Sequence, residues 1–147
     1  MRTQFGSFEA LSGRDVYDVL ALRQEIFVVE QRCAFLDADG LDLRAEHLLM
    51  RDDAGALAAY VRVLAPGTKF PTHSIGRVVV AAAHRSTGLG RRVMREAIAR
   101  IEAAHGAVPI TLSAQAHLEA FYGSLGFVTI SDRYDEDGIP HVDMRRG

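Results

Sequence analysis

The chain has 147 residues, with 17 basic and 19 acidic side chains, a formal net charge of -2 and a hydrophobic fraction of 48%. That balance excludes a nucleic-acid binder held by bulk electrostatics, and the length fits one domain over residues 1–147 that buries about two-thirds of its unfolded surface. No apolar run is long enough to span a bilayer. The start, Met1-Arg2-Thr3-Gln4-Phe5, lacks the apolar core of a secretory signal, and the only cysteine, Cys33, suits packing in a reducing cytoplasm.

In chain order, Phe5 to Glu9 reads as a short first strand. Ser12 offers an N-cap, with Asp15 three places on. Val16, Val19, Leu20, Arg23, Ile26 and Phe27 then recur at helical spacing, which predicts a helix running to about Glu30. Phe35 to Arg44 is an Asp/Gly-rich loop. Its Asp37-x-Asp39 start resembles a calcium loop, but Gly40 falls two places too early and the liganding glutamate is missing. His47–Arg51 and Ala56–Val63 read as antiparallel strands around the turn Asp52-Asp53-Ala54-Gly55, and Pro66-Gly67 forces a further turn. Ser74–Val80 is the central strand, Leu89–Ala104 a long helix, Ile110–Ser113 an apolar strand and His117–Leu125 a short helix stopped by Gly126. Phe127–Ile130 and Ile139–Met144 close the sheet. The fold class is α/β, a mixed, mostly antiparallel twisted sheet with flanking helices.

The chemistry concentrates where the central strand meets the long helix, at Arg85-Ser86-Thr87-Gly88-Leu89-Gly90. A loop there turns backbone N–H groups toward one anion, and the helix adds its unpaired N–H groups and the positive end of its dipole. Gly88 and Gly90 remove side chains that would block a phosphate, and Arg85 adds charge-assisted donors. The stretch is neither a Walker loop, because Gly-Lys-Ser/Thr is absent, nor a dinucleotide fingerprint, because Val93 stands where a third glycine is needed. His47, His73 and His141 have no zinc spacing, so no metal is expected.

Arg-x-x-Gly-x-Gly at this junction resembles the signature of the GNAT-type N-acetyltransferases. Leu22-Arg23-Gln24-Glu25-Ile26-Phe27-Val28-Val29-Glu30-Gln31, Leu112-Ser113-Ala114-Gln115-Ala116-His117 and Glu136-Asp137-Gly138-Ile139-Pro140-His141 resemble its ElaA-like branch. Ala81-Ala82-Ala83 departs from the proline that many relatives carry after the central strand. The resemblance implies an acetyl-CoA-dependent N-acetyltransferase. In that fold the strands at Val78–Val80 and Ile110–Leu112 start as parallel neighbours and splay apart. Val78, Val79 and Val80 then offer main-chain groups to the pantetheine arm. Arg85, Ser86, Thr87, Gly88, Leu89 and Gly90 cradle the pyrophosphate, with Arg91 in reach of a phosphate. Gln115 and His117 lie where they bond pantetheine or orient substrate.

Tyr122, in Phe121-Tyr122-x-x-x-Gly126-Phe127, matches the tyrosine that protonates the departing thiolate. The amine would attack the thioester directly in a ternary complex, helped by a base at Glu25, Glu30 or Glu46. The late loop Tyr134-Asp135-Glu136-Asp137-Gly138-Ile139-Pro140-His141 is a candidate acceptor wall, and its acidic groups, Glu136 and Asp137 among them, favour a cationic amine. The acceptor is a small-molecule or peptide amine, with no nucleic acid and no membrane, and monomer and homodimer are both compatible. A non-catalytic acyl-CoA-binding or regulatory protein on the same scaffold is the alternative reading, and a protein-interaction module without CoA binding a third.

Overall fold

The computed structural model describes all residues from Met1 to Gly147. Eight strands form one continuous sheet in the order β1-β2-β3-β4-β5-β8-β6, with β7 also paired to β8. The strands are β1 (Arg2–Ser7), β2 (Glu46–Arg51), β3 (Leu57–Leu64), β4 (His73–Val80), β5 (Ile110–Gln115), β6 (Val128–Thr129), β7 (Tyr134–Glu136) and β8 (Ile139–Arg146). Every pairing is antiparallel except β4 with β5. The helices are α1 (Gly13–Arg23), α2 (Leu89–His105) and α3 (Glu119–Gly123).

Helix α1 begins at a reciprocal cap. The Ser12 hydroxyl accepts from the Asp15 N–H at 3.1 Å, and the Asp15 carboxylate accepts from the Ser12 N–H at 3.0 Å. Its buried Val19 and Leu22 pack with Ile26 on Leu49, Tyr60 and Val79. The amphipathic helix α2 buries Val93, Met94, Ala97, Ile98 and Ile101 on the opposite face, against Leu48, Val61, Ile75 and Leu112. Each of these side chains other than Ala97 contributes roughly 1.5–3 kcal/mol by leaving water.

Several boundaries differ from the sequence reading. The first strand is Arg2–Ser7, because its backbone pairs with β2 from Arg2↔Arg51 to Ser7↔Glu46, and Phe8–Ala10 is a 3₁₀ turn. The α-helix ends at Arg23 and continues as a π-helical segment over Gln24–Glu30. Its wider winding is visible in the five-residue bonds from the Gln31 N–H to the Ile26 carbonyl and from the Cys33 N–H to the Val28 carbonyl. The Asp/Gly-rich loop contains a 3₁₀ turn at Leu41–Arg44. The helix read over His117–Leu125 is a 3₁₀ turn, Ala116–Leu118, followed by the five-residue α3. Tyr134–Glu136 adds a strand that sequence patterning did not indicate.

Candidate active site

Strands β4 and β5 pair only at His73↔Ile110 and Ser74↔Thr111, and beyond Ser74 they part. The edge of β4 from Ile75 to Val80 therefore faces a gap. Across the sheet, Tyr60 pairs with Val79 and Arg62 with Gly76, so Arg77 and Val78 together oppose the single residue Val61. This β-bulge sits at the mouth of the gap and re-aims the strand. Arg77 adopts a left-handed φ of 50°, a strained state for a residue with a β-carbon. Its guanidinium is held by Asp37 at 2.8 Å and Asp39 at 3.3 Å and lies over the Phe35 ring.

Those contacts belong to a larger charged network. Arg23, fully buried, pairs with Asp37 and Asp42 at 2.8 Å each, and Arg62 pairs with Asp39 at 2.8 Å and Asp42 at 3.0 Å. Three guanidiniums thus face three carboxylates, which offsets the cost of burying charge. Burial alone would raise Asp39, but its bonds with Arg62 outweigh this and hold it down to about 2. The network fastens the Asp/Gly-rich loop over α1, β3 and β4, and so fixes one wall of the gap.

The gap opens into a cleft of about 830 Å³, half of whose lining residues are hydrophobic. Val78, Val79, Val80, Arg85, Gly90, Gln115, His117 and Tyr122 all line it. The Val79 side chain packs toward α1, while Val78 and Val80 pack on the α2 side. At the far end of β4 the loop reaches α2 through Gly88, whose φ is 81°. None of the N–H groups from Ser86 to Arg91 finds a hydrogen-bond acceptor within the protein; the first such bond in α2 runs from Arg92 to the Gly88 carbonyl at 3.1 Å. Six consecutive free donors at a helix N-terminus have the chemistry to hold an anion. A Cβ on Gly90 would stand 3.7 Å from Val80 and 3.8 Å from Phe121, so any larger side chain would crowd the junction.

The side chains around this loop are already engaged. Arg85 makes a bidentate pair with Glu30, which holds the Glu30 carboxyl below its ordinary range. Arg91 donates to the Ser124 hydroxyl at 2.8 Å and stacks on Phe121, and the Thr87 hydroxyl donates to the His84 carbonyl. The anion site is thus mainly a backbone site, bordered by an arginine that is shared with Glu30. Gln115 donates to the Gln31 side chain at 3.2 Å, tying β5 to the end of the π-helical segment.

Tyr122 is 7% exposed, with its ring against Phe121 and Phe127. Its hydroxyl has no protein partner, and burial pushes its pKa up to about 12. The phenol therefore keeps its proton through the physiological range and presents it to the cleft. Glu25 is exposed and is not among the cleft-lining residues. Glu46 lies on β2 beside a separate hollow with His73 and Arg100. The π-helical winding brings Glu30 to the cleft but leaves Glu25 outside it.

His141 was not singled out from the sequence as a catalytic candidate. It is 9% exposed, lines the cleft and pairs in register with Gln115. Its Nδ1 lies 2.7 Å from the Ile139 carbonyl, which only accepts, so Nδ1 carries a proton and the neutral ring has its lone pair on Nε2. Nε2 is 3.4 Å from the Glu136 carboxylate, and the ring stacks on Tyr134. Tyr134 in turn donates to Asp143 at 2.6 Å and shares a short bond with Ser113. Cys33 donates to the Asp137 carbonyl, fastening the β7–β8 turn to the other wall. The motif Glu136-Asp137-Gly138-Ile139-Pro140-His141 marks the segment, but only the strand pairing shows that the His141 ring reaches the cleft. No group of three or more His, Cys, Asp or Glu is placed to hold a metal ion, and no helix is long and apolar enough to cross a membrane.

A splayed parallel pair, a bulged central strand and an anion loop at a helix N-terminus occur together here. Residues 35–146 match the family model for the acetyltransferase (GNAT) domain. The chain belongs to the GNAT acetyltransferase family. It is 43% identical to a UPF0039 protein from Synechocystis, over 93% of this chain and 89% of that one. It is 40% identical to the protein ElaA of Escherichia coli, over 92% and 90% of the two chains. The crystal structure of an acyl-CoA N-acyltransferase from Pseudomonas aeruginosa superposes with a TM-score of 0.93 at 42% identity, covering all of both chains. The fold is therefore the acyl-CoA N-acyltransferase fold, and the family is the ElaA-like one that its motifs resemble.

Proposed function

We propose that the protein is an N-acetyltransferase that moves an acetyl group from acetyl-CoA to a primary amine. The observation that carries this reading is the run of unpartnered N–H groups from Ser86 to Arg91 at the open end of the β4–β5 gap. That loop suits a pyrophosphate, and the unpaired edge of β4 suits an amide-bearing arm of the length of pantetheine. Acetyl-CoA, when bound, supplies an activated acetyl thioester. Val78, Val79 and Val80 would orient it through main-chain groups, which excludes water from the acyl end.

The remaining work falls to side chains that line the cleft. Tyr122 holds a proton on a hydroxyl with no competing partner and offers it to a departing thiolate. The acceptor arrives as an ammonium and must lose a proton to expose a lone pair. We assign that proton to His141 Nε2, because its tautomer is fixed and Glu136 stands ready to stabilise the imidazolium. The base is thus not assigned to Glu25, which is outside the cleft lining, nor to Glu30, which is held by Arg85. Gln115 and His117 would position the arm or the acceptor from the β5 side. The test is acetyl transfer from labelled acetyl-CoA to a broad panel of amines, with product identified by mass. A product absent from the boiled control supports the reading; CoA binding with no acetylated amine removes it.

A further inference from the structure

Three buried donors of cleft-lining residues make no hydrogen bond, and of these Arg77 Nε is ion-paired with Asp37 at 2.8 Å, which leaves two without any partner. Arg62 and Ser74 are each 2% exposed, and both line the cleft. The Arg62 Nε and the Ser74 Oγ are buried without a hydrogen-bond partner. The two sit on one face of adjacent strands, since Arg62 pairs with Gly76 and Leu64 with Ser74. Ser74 is also the last residue of β4 paired to β5 before the strands part. The outer nitrogens of Arg62 are committed to Asp39 and Asp42, which fixes the guanidinium and leaves Nε–H as a rigid, charge-assisted donor. A buried donor left unmade is costly, so such groups normally have an occupant.

The charge around them indicates the occupant. The three arginines and three aspartates of the network balance one another. Lys69, an exposed cleft-lining residue, has no carboxylate partner and lies over the Phe70 ring. One wall of the cleft therefore offers two buried donors and a free cation. The cleft-lining acids Glu136 and Asp137 stand on the β7–β8 turn, beside His141. The polarity is that of a molecule with an amine toward the turn and an anionic oxygen toward β3 and β4.

Resting on the acetyltransferase reading, we propose that the acceptor is an amine that also carries a carboxylate, as in an amino acid or a short peptide, held by Arg62 Nε, Ser74 Oγ and Lys69. The carboxylate accepts the two buried hydrogen bonds and is attracted by the Lys69 ammonium at the rim. The same binding would turn the amino group toward His141.

The test is a binding titration by calorimetry on CoA-saturated protein, which does not depend on turnover. The probes are matched trios built on leucine, phenylalanine, lysine and a dipeptide: the free acid, its primary amide and the analogue without the carboxyl group. In at least one trio the free acid should bind about tenfold or more tightly than the other two. Ser74→Ala should remove most of that preference, and Lys69→Gln, an exposed change, should reduce it several-fold while leaving the amide and the truncated amine unaffected. Equal binding within every trio, no binding of any free acid, or an undiminished preference in both variants would overturn the subsite and assign the two donors to solvent. If free acids bind as expected but are never acetylated, the subsite stands and the acetyltransferase reading fails.

Discussion

Tyr122→Phe separates the chemical role of the hydroxyl from the packing role of the ring. The ring contacts with Phe121 and Phe127 survive the change. The lost hydroxyl has no protein partner, so stability should move by no more than about 0.5 kcal/mol, with stabilisation as expected as loss. The effect on rate follows from the proton's environment. Burial pushes the phenol up to about 12, while a free thiol titrates near about 8.5. Complete transfer of the proton to a thiolate is then uphill by roughly 5 kcal/mol. The hydroxyl should accordingly act mainly as a hydrogen-bond donor to the developing charge, worth about 1.5–3 kcal/mol. That corresponds to a fall in kcat of about ten- to a hundredfold, below the upper range for general acids. Thiol release at saturating acceptor, under conditions where chemistry limits the rate, measures kcat, and calorimetry measures CoA affinity. The expected pattern is a reduced kcat, a Kd for CoA within about twofold of wild type and an unchanged melting temperature. An unchanged kcat, or a loss of CoA affinity that matches the loss of rate, would refute the assignment.

Other substitutions probe the remaining parts. His141→Gln should lower kcat/KM most near neutral pH, and the deficit should close as pH rises toward about 10, where a free amine needs no base; a constant ratio across pH would remove His141 from proton transfer. Gly90→Val should weaken CoA binding by crowding Val80 and Phe121, whereas Gly88→Ala, at a φ of 81° with open space around it, should cost about 1 kcal/mol of stability with a smaller effect on binding; equal effects on calorimetric affinity would misplace the anion site. Arg23→Gln removes one of the two arginine partners of both Asp37 and Asp42, leaving Arg77 and Arg62, and should destabilise by about 1.5–3 kcal/mol in denaturant titration. For Asp15, burial acts upward, but the Ser12 N–H and Arg51 prevail and hold it down to about 2, and Asp39 lies at about 2 as well. Both are depressed in the folded state, so their contribution is present above pH about 4 and is lost as pH falls toward 2; a melting temperature that stays flat across that window would contradict this.

The parts of the fold that repeat locally were legible in the chain. Ser12 with Asp15, the apolar stripe of α2 and the glycine loop each depend on residues three or four places apart or on one loop, so their physics is written in neighbouring residues. The end of the first helix was not legible, because α and π winding use the same residue types and differ only in which carbonyl the N–H reaches. That difference moved Glu25 out of the cleft lining and set Glu30 against Arg85. The charged network and the two unpartnered donors were also hidden. Arg23, Arg62 and Arg77 are far apart in the chain, and only the sheet register and the bulge at Arg77 bring them together. His141 became a candidate for the same reason: its partner Gln115 is on β5, and α3, β6 and β7 lie between the two strands in the chain.

The central claim is that the Ser86–Arg91 loop holds the phosphates of an acetyl donor whose acetyl group then passes to an amine. The most direct measurement is mass spectrometry of products formed from acetyl-CoA labelled in its acetyl carbons, with wild-type protein and the amine panel, alongside Gly90→Val. Wild type should give a labelled N-acetyl product in an amount matching the free thiol released, and the variant little at limiting acetyl-CoA. Thiol release without any labelled amine, or equal product from both proteins at limiting acetyl-CoA, would contradict the central claim.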